Sequence, residues 1–219
     1  MRSKFFLLFA AATMLILAGC RQPELTTPPT AETSPLMTST TTQKTTNSQL
    51  ELPQAGDTIA VVETDLGTIK FRLFTKDIPE LTKNFKSLAS EGKYNNVPFH
   101  RVVKDFMIQT GDFTNKNGTG GYSYKGPGTN LPNEINPKYK HLYGTVSMAK
   151  TSAPVSIGSQ FFIVTNKNGA AFLDGSYSPI GQVYEGMEVA EKIADIQVPG
   201  TEKPSKVVNM KKVTVTSYK

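Results

Sequence analysis

The sequence predicts a mainly β domain, a closed antiparallel β-barrel capped by two α-helices. Two observations carry this. Short β-branched and aromatic runs, punctuated by Gly, Asn and Pro, recur from Thr58 to Val215. Only two segments, one opening at Pro79 and one at Met187, space their apolar residues as a helix does. Many short strands with few helices favour closure, because a closed sheet has no edges to invite aggregation.

Thr58-Ile59-Ala60-Val61-Val62-Glu63-Thr64 is β-branched and reads as a strand. Asp65-Leu66-Gly67 then makes a turn, and Ile69, Phe71 and Leu73 alternate with Lys70 and Arg72, completing a hairpin with one buried face. Pro79 suits a first helical turn, Leu81, Phe85 and Leu88 share one helix face, and Gly92 stops the run. Strand character returns over Val97–Val103 and Phe106–Gln109. The stretch Asn115–Pro137, rich in Gly, Asn and Pro, predicts loop. Thr145–Ala149 and Gln160–Thr165 are further strands. Met187, Ala190 and Ile193 mark the second helix, and Val213 with Val215 a closing strand.

The N-terminus predicts export. Arg2 and Lys4 precede an apolar run from Phe5 to Ala18, broken only by Thr13, as in a secretory signal. The run is shorter than the roughly 20 apolar residues a spanning helix needs. Leu17-Ala18-Gly19-Cys20 resembles the bacterial lipobox, in which the cysteine is acylated and becomes the mature N-terminus. Cys20 is the sole cysteine, so it has no disulfide partner within the chain, and lipidation accounts for it. Residues 20–56 are Thr-, Ser- and Pro-rich and too polar to offset the entropy of ordering, which predicts a lipidated, disordered tether. The expected organisation is a signal peptide over 1–19, the tether over 20–56 and one domain over 57–219, lipid-anchored to a membrane or envelope on its extracytoplasmic side.

Composition excludes several function classes. Without Cys or Trp after residue 20, the domain has neither a disulfide framework nor a cysteine-ligated metal site. Two histidines, His100 and His141, without a carboxylate cluster argue against a catalytic metal. The net charge of +6 is spread among scattered lysines, which describes a solvated surface and not a nucleic-acid footprint. Gly118-Thr119-Gly120-Gly121 lacks the Gly-Lys-Ser/Thr ending of a phosphate loop.

Two segments carry chemistry. The run Phe99-His100-Arg101-Val102-Val103-Lys104-Asp105-Phe106-Met107-Ile108-Gln109-Thr110-Gly111-Asp112-Phe113 sets an arginine and a glutamine among large apolar side chains, and Gly158-Ser159-Gln160-Phe161-Phe162-Ile163 adds a second glutamine and two aromatics. Together they closely resemble the signature segments of the cyclophilins, peptidyl-prolyl cis-trans isomerases, over roughly Thr58 to Tyr218. The resemblance implies eight strands with a helix over each end of the barrel. It also implies isomerisation of X-Pro bonds without a cofactor.

An X-Pro bond offers no acidic proton and nothing to cleave. Its barrier of about 18–20 kcal/mol is amide resonance, lost as the bond twists and the proline nitrogen regains a lone pair. A donor against that nitrogen stabilises the twisted state above either planar isomer, and the guanidinium of Arg101 suits the task. Gln109 can hold a substrate carbonyl while the other side rotates. The resemblance assigns the apolar proline slot to Phe106, Met107, Phe162 and Leu173. It brings Ala149, Lys150, Gln160, Phe172 and Tyr177 to the same groove, with Gln160 a support for Arg101. His100 matches a family position beside the groove and has no proton to move in this reaction, and His141 reads as a loop residue. Strand alternation turns Phe161 toward the core when Phe162 faces the groove.

Three positions depart from the best-known family pattern. Phe172 stands where those members have Trp, Tyr177 where many have His, and Lys150 where Asn is common. The first two keep an aromatic wall. Phe172 lacks the indole N–H that the Trp donates to cyclosporin, which implies weakened binding of that drug. The expected partners are X-Pro polypeptides and, through Cys20, a membrane, with no nucleic acid and a monomeric state. A proline-binding module with incidental isomerisation, or a structural envelope protein, remain the alternative readings.

Overall fold

The computed structural model of the chain describes residues 47–219. The expected signal peptide, Cys20 and the tether up to residue 46 lie outside the described residues. Among the described residues no helix is long and apolar enough to cross a membrane.

Strand β1 (Thr58–Thr64) and β2 (Gly67–Leu73) form the expected hairpin, paired from Ile59↔Arg72 to Thr64↔Gly67. The Thr64 hydroxyl ties the turn by donating to Gly67 O at 2.7 Å and accepting from Leu66 N at 3.1 Å. Gly67 has φ of +136°, and a Cβ there would lie 2.7 Å from Val189 Cγ2, so only glycine fits. Helix α1 (Pro79–Ser90) starts on its proline and buries Leu81, Phe85 and Leu88. The Glu134 carboxylate accepts from Leu81 N at 3.0 Å, serving one of the otherwise unpaired N–H groups of the first turn. Helix α2 (Met187–Ala194) buries Val189, Ala190 and Ile193.

The expected single strand Val97–Val103 is two strands, β3 (Val97–Pro98) and β4 (Arg101–Val103). They are followed by β5 (Met107–Thr110), β6 (Leu131–Pro132), β7 (Thr145–Met148), β8 (Val155–Ile157), β9 (Phe161–Val164), β10 (Pro179–Glu185) and β11 (Asn209–Ser217). Among the described residues a nine-stranded sheet runs β3-β11-β1-β2-β10-β7-β9-β5-β4, and β6, which lies inside the stretch predicted as loop, pairs with β8 beyond it. Strand β10 was not expected, because Pro179 and Gly181 break its alternation. It is nonetheless central, and a Cβ on Gly181 would sit 2.5 Å from Arg72 O of β2.

Among the described residues the expected closed, eight-stranded barrel therefore becomes a strongly curled nine-stranded sheet that no ladder closes. Its two outermost strands, β3 and β4, are separated in the chain by Phe99 and His100 alone. At roughly 3.3–3.6 Å per residue this brings the sheet's two ends within about 11 Å. Phe99 is buried and donates to Val208 O at 3.0 Å, so the chain turns inward here and does not pair. The outer edge of β4 is covered by a loop, with Val102 N donating to Glu202 O at 2.8 Å. Inside the curl, Phe71, Phe85, Tyr94 and Phe161 meet at centroid distances of 5.0–5.5 Å. Such pairs add about 0.5–1.5 kcal/mol each beyond area burial.

The packed chain begins ahead of the expected boundary at residue 57. Gln49 is wholly buried, its amide shared among Lys140 O (2.8 Å), Thr145 Oγ1 (2.9 Å) and Gln182 Oε1 (3.0 Å), while its Oε1 accepts from Lys140 N (2.9 Å). Arg72 adds a bond to Ser48 O at 2.6 Å. Composition marks residues 47–56 as tether, but Gln49, bonded to Lys140, Thr145 and Gln182, and Ser48, bonded to Arg72, fasten the start of this stretch to the domain.

Candidate active site

Pairing between β4, β5 and β9 assembles the site. Arg101 faces Gln109, and Gln109 faces Phe162. Alternation then sorts the faces: Ile108, Phe161 and Ile163 join the main core, whereas Met107, Phe162 and Leu173 form a separate buried cluster. That second cluster floors a cavity of about 280 Å³. Arg101 and Gln109 stand on its rim, Phe106, Phe172 and Tyr177 wall it, and Ala149 and Lys150 complete it. Phe172 is 74% exposed and leans on Phe106, their centroids 5.4 Å apart. Tyr177 meets Phe162 edge-on at 6.0 Å, and Lys150 Nζ lies 5.1 Å from the centre of the Tyr177 ring.

Every expected groove residue but one lines this slot. The exception, Gln160, instead lines an adjoining cavity of about 390 Å³ that shares Gln109, Ala149 and Lys150 with it. The expected support of Arg101 by Gln160 is indirect and runs through Gln109. Arg101 Nη1 donates to Gln109 Oε1 at 3.2 Å, Gln109 Nε2 to Gln160 Oε1 at 2.9 Å, and Gln160 Nε2 to Gly118 O and Gly120 O at 2.9 and 2.8 Å. Each amide has its oxygen turned toward a donor, and one Gln109 N–H is left for a further acceptor.

The glycine loop is held by a residue that motif reading passed over. Buried Asp112 accepts from the backbone N–H groups of Thr114, Asn115, Asn117, Gly118 and Gly120 at 2.8–3.2 Å. Burial alone would raise its pKa, but the N–H groups of Asn115, Gly118, Gly120 and Asn117 outweigh that and bring it down to about 2. Its neighbour in the quoted run, Gly111, marks the turn, but nothing in the sequence shows how many N–H groups converge there.

Neither histidine lines the slot. His100 lies against Gly118, where an added Cβ would approach its Cδ2 to 2.9 Å, and burial lowers its pKa. His141 does lie in a loop, yet it is wholly buried behind the slot, stacked near Phe162. The Asp174 carboxylate can only accept, so Nδ1 at 2.9 Å carries the proton and Nε2 accepts from Ser147 Oγ at 3.0 Å. Burial lowers the His141 pKa despite Asp174, so the ring is neutral in the folded protein at neutral pH. Ser147 is fully buried, so this Ser-His-Asp row is a brace behind the slot and no nucleophile. Among the described residues no group of three or more His, Cys, Asp or Glu side chains is placed to hold a metal ion.

Comparison with known proteins agrees with the geometry. A family model described as "Cyclophilin type peptidyl-prolyl cis-trans isomerase/CLD" matches residues 59–215. Peptidyl-prolyl cis-trans isomerase CYP18-2 of Arabidopsis thaliana is 37% identical, over 69% of this chain and 90% of its own. Peptidyl-prolyl cis-trans isomerase-like 1 of Neurospora crassa is 38% identical, over 72% and 94%. Among solved structures, a cyclophilin-type isomerase of Cryptosporidium parvum superposes with a TM-score of 0.69 at 32% identity, covering 74% of this chain and 99% of that one. A structure of the same protein in the presence of the dipeptide Ala-Pro gives 0.67 at 33% identity, over 73% and 99%. An apolar slot rimmed by a guanidinium accords with these matches, and the chain belongs to the cyclophilin-type peptidyl-prolyl cis-trans isomerases and is an isomerase of X-Pro bonds.

Proposed function

We propose that Arg101 is the donor to the twisting proline nitrogen and that Gln109 holds the substrate with its free N–H. The observation that carries this reading is the placement of Arg101 Nη1 and Gln109 side by side over the floor of Met107, Phe162 and Leu173. The proline ring enters the slot, Phe106, Phe172 and Tyr177 enclose it, and Ala149 and Lys150 border the chain. Residues preceding proline cross Gln109 into the neighbouring cavity, on the side of Gln160. The substrate is an extended or unfolded segment, because the chain must pass the rim on both sides of the ring. The Cryptosporidium relative was studied in the presence of the dipeptide Ala-Pro, which supports a proline-containing substrate. A protease-coupled isomerisation assay on the wild type and Arg101 variants tests it.

The exposed Phe172 separates substrate from drug. Phe closes the slot against a proline ring but has no N–H for cyclosporin, and a buried acceptor left unpaired costs about 1–3 kcal/mol, five- to a hundred-and-fifty-fold in affinity. Phe172→Trp is therefore expected to tighten cyclosporin inhibition within that range while kcat/KM changes less than about twofold. Inhibition titrations of both forms decide it, and no gain from Trp removes Phe172 from the drug-binding wall.

The cellular setting we infer is that of a monomeric, lipid-anchored bacterial lipoprotein acting on exported polypeptides at the membrane or envelope. Residues 17–20 and the apolar run before them support it, independently of the relatives, which bear on residues 59–215. Several acyl chains on Cys20, at about 0.8 kcal/mol per buried methylene, would hold the chain firmly. Mass spectrometry of membrane-extracted protein is expected to find lipid on residue 20 and no residues 1–19. A Cys20→Ser variant that is equally processed and membrane-bound overturns the anchor.

A further inference from the structure

The slot does not account for the second partner of Arg101. Glu202 lies 101 residues further along the chain, in the segment between α2 and β11, and its carboxylate accepts from Arg101 Nε at 2.8 Å and Nη2 at 3.0 Å. This is a two-pronged contact on the face of the guanidinium turned away from Gln109. Hydrogen bonding from Arg101 holds the Glu202 carboxyl below its ordinary pKa, so it is ionised at neutral pH.

The backbone brings Glu202 there independently of the ion pair. Glu202 O accepts from Val102 N, the residue next to Arg101. The turn that presents it is closed on itself, with Val198 N donating to Lys203 O at 2.8 Å and Thr201 N to Val198 O at 3.0 Å. It is also fastened to the turn after β4, where Lys104 N donates to Gln197 Oε1 at 2.6 Å. Yet the two side chains are 36% and 60% exposed, and pairs this wet add little to folding. A built contact that contributes little stability calls for another purpose.

Geometry supplies one. An arginine held only at Nη1, by Gln109 Oε1 at 3.2 Å and a weak contact with Met107 Sδ at 3.9 Å, can swing about its long stem. Holding Nε and Nη2 as well fixes the plane of the fork and leaves Nη1 as the prong over the slot. We propose that Glu202 is a positioning residue for isomerisation, fixing the Arg101 guanidinium in the orientation that meets the pyramidal proline nitrogen. This rests on the reading of Arg101 as the donor. The carboxylate also offsets part of the guanidinium charge, but solvent screens that effect, whereas a misplaced donor loses a contact made only in the twisted state.

The test measures kcat and KM for an Ala-Pro-containing peptide in the full chain and in Glu202→Ala, Glu202→Gln, Arg101→Ala and the double alanine variant. Glu202→Ala is expected to lower kcat about tenfold, with KM within about twofold and the melting temperature unchanged. Glu202→Gln, which keeps an acceptor, is expected to recover part of that loss, and it carries the test if the alanine variant melts early. In the Arg101→Ala background the Glu202 change is expected to add nothing, since it acts through that side chain. A Glu202→Ala enzyme as fast as or faster than wild type, a loss confined to KM, or an equal loss without Arg101 overturns the proposal. Arg101→Ala activity near wild type would instead remove the donor reading itself, so the two failures are distinguishable.

Discussion

Arg101→Ala is expected to lower kcat/KM by about two to three orders of magnitude, the range seen when one transition-state donor is removed. The folded domain should survive. The register of β4 against β5 is set by backbone pairing, and the side chain's strongest contact is the exposed pair with Glu202, worth about 0–1 kcal/mol. Arg101→Lys should recover only part of the loss, because an ammonium keeps the charge but cannot hold Gln109 and Glu202 with a planar fork. Protease-coupled kinetics beside a circular-dichroism melt separate chemistry from folding. An effect below about fivefold in a folded alanine variant would remove Arg101 from the reaction.

Asp112→Ala is expected to cost about 3–5 kcal/mol of stability, a hundredfold or more in the folding equilibrium, because five backbone N–H groups lose their acceptor together. Activity should fall as well, since the carbonyls of Gly118 and Gly120 hold Gln160 and through it Gln109. The pH dependence has a definite sign. The folded pKa of about 2 lies below the ordinary 3.8, so the carboxylate's contribution is complete above pH 4 and is lost as pH falls toward 2. That contribution is about 2 kcal/mol. Urea unfolding between pH 2 and 7 should show a shallower acid slope in the variant than in the wild type, the Asp112 share being lost while other lowered carboxylates such as Glu202 keep theirs. A cost under about 1 kcal/mol, or the same acid slope in both, would mean that the loop is held by something else.

What the sequence discloses follows the range of each interaction. The β1–β2 hairpin, both helices and the sorting of Phe161 from Phe162 depend on local periodicity and are legible. So are Arg101, Gln109 and the slot, because two family-like segments carry them. Strand β10 is hidden because Pro179 and Gly181 obscure its pattern, and its place is fixed by neighbours β2 and β7 far off in the chain. The break at Phe99–His100 is invisible because β3 and β4 are each too short to show a period. Gln49, Asp174 behind His141, and Glu202 leave no local mark at all. Each is a single polar residue whose partner lies 33 to 133 positions away. Polar pairing of this kind depends on the finished fold.

The order of strands also constrains when the domain can form. The last strand, β11, does not lie at an edge but between β1 and β3, with Thr58 opposite Ser217 and Met210 opposite Val97. Until it arrives, β1 and β3 each present an open edge, and α1 lacks part of the surface it packs on. Joining residues about 160 positions apart makes this a fold of high contact order, with a large loop-closure entropy to overcome before its last ladder forms. A nascent chain leaving the ribosome therefore stays incomplete until residues 209–217 emerge. A catalyst of proline isomerisation is thus itself built to finish late, with the open edges of β1 and β3 waiting on one strand.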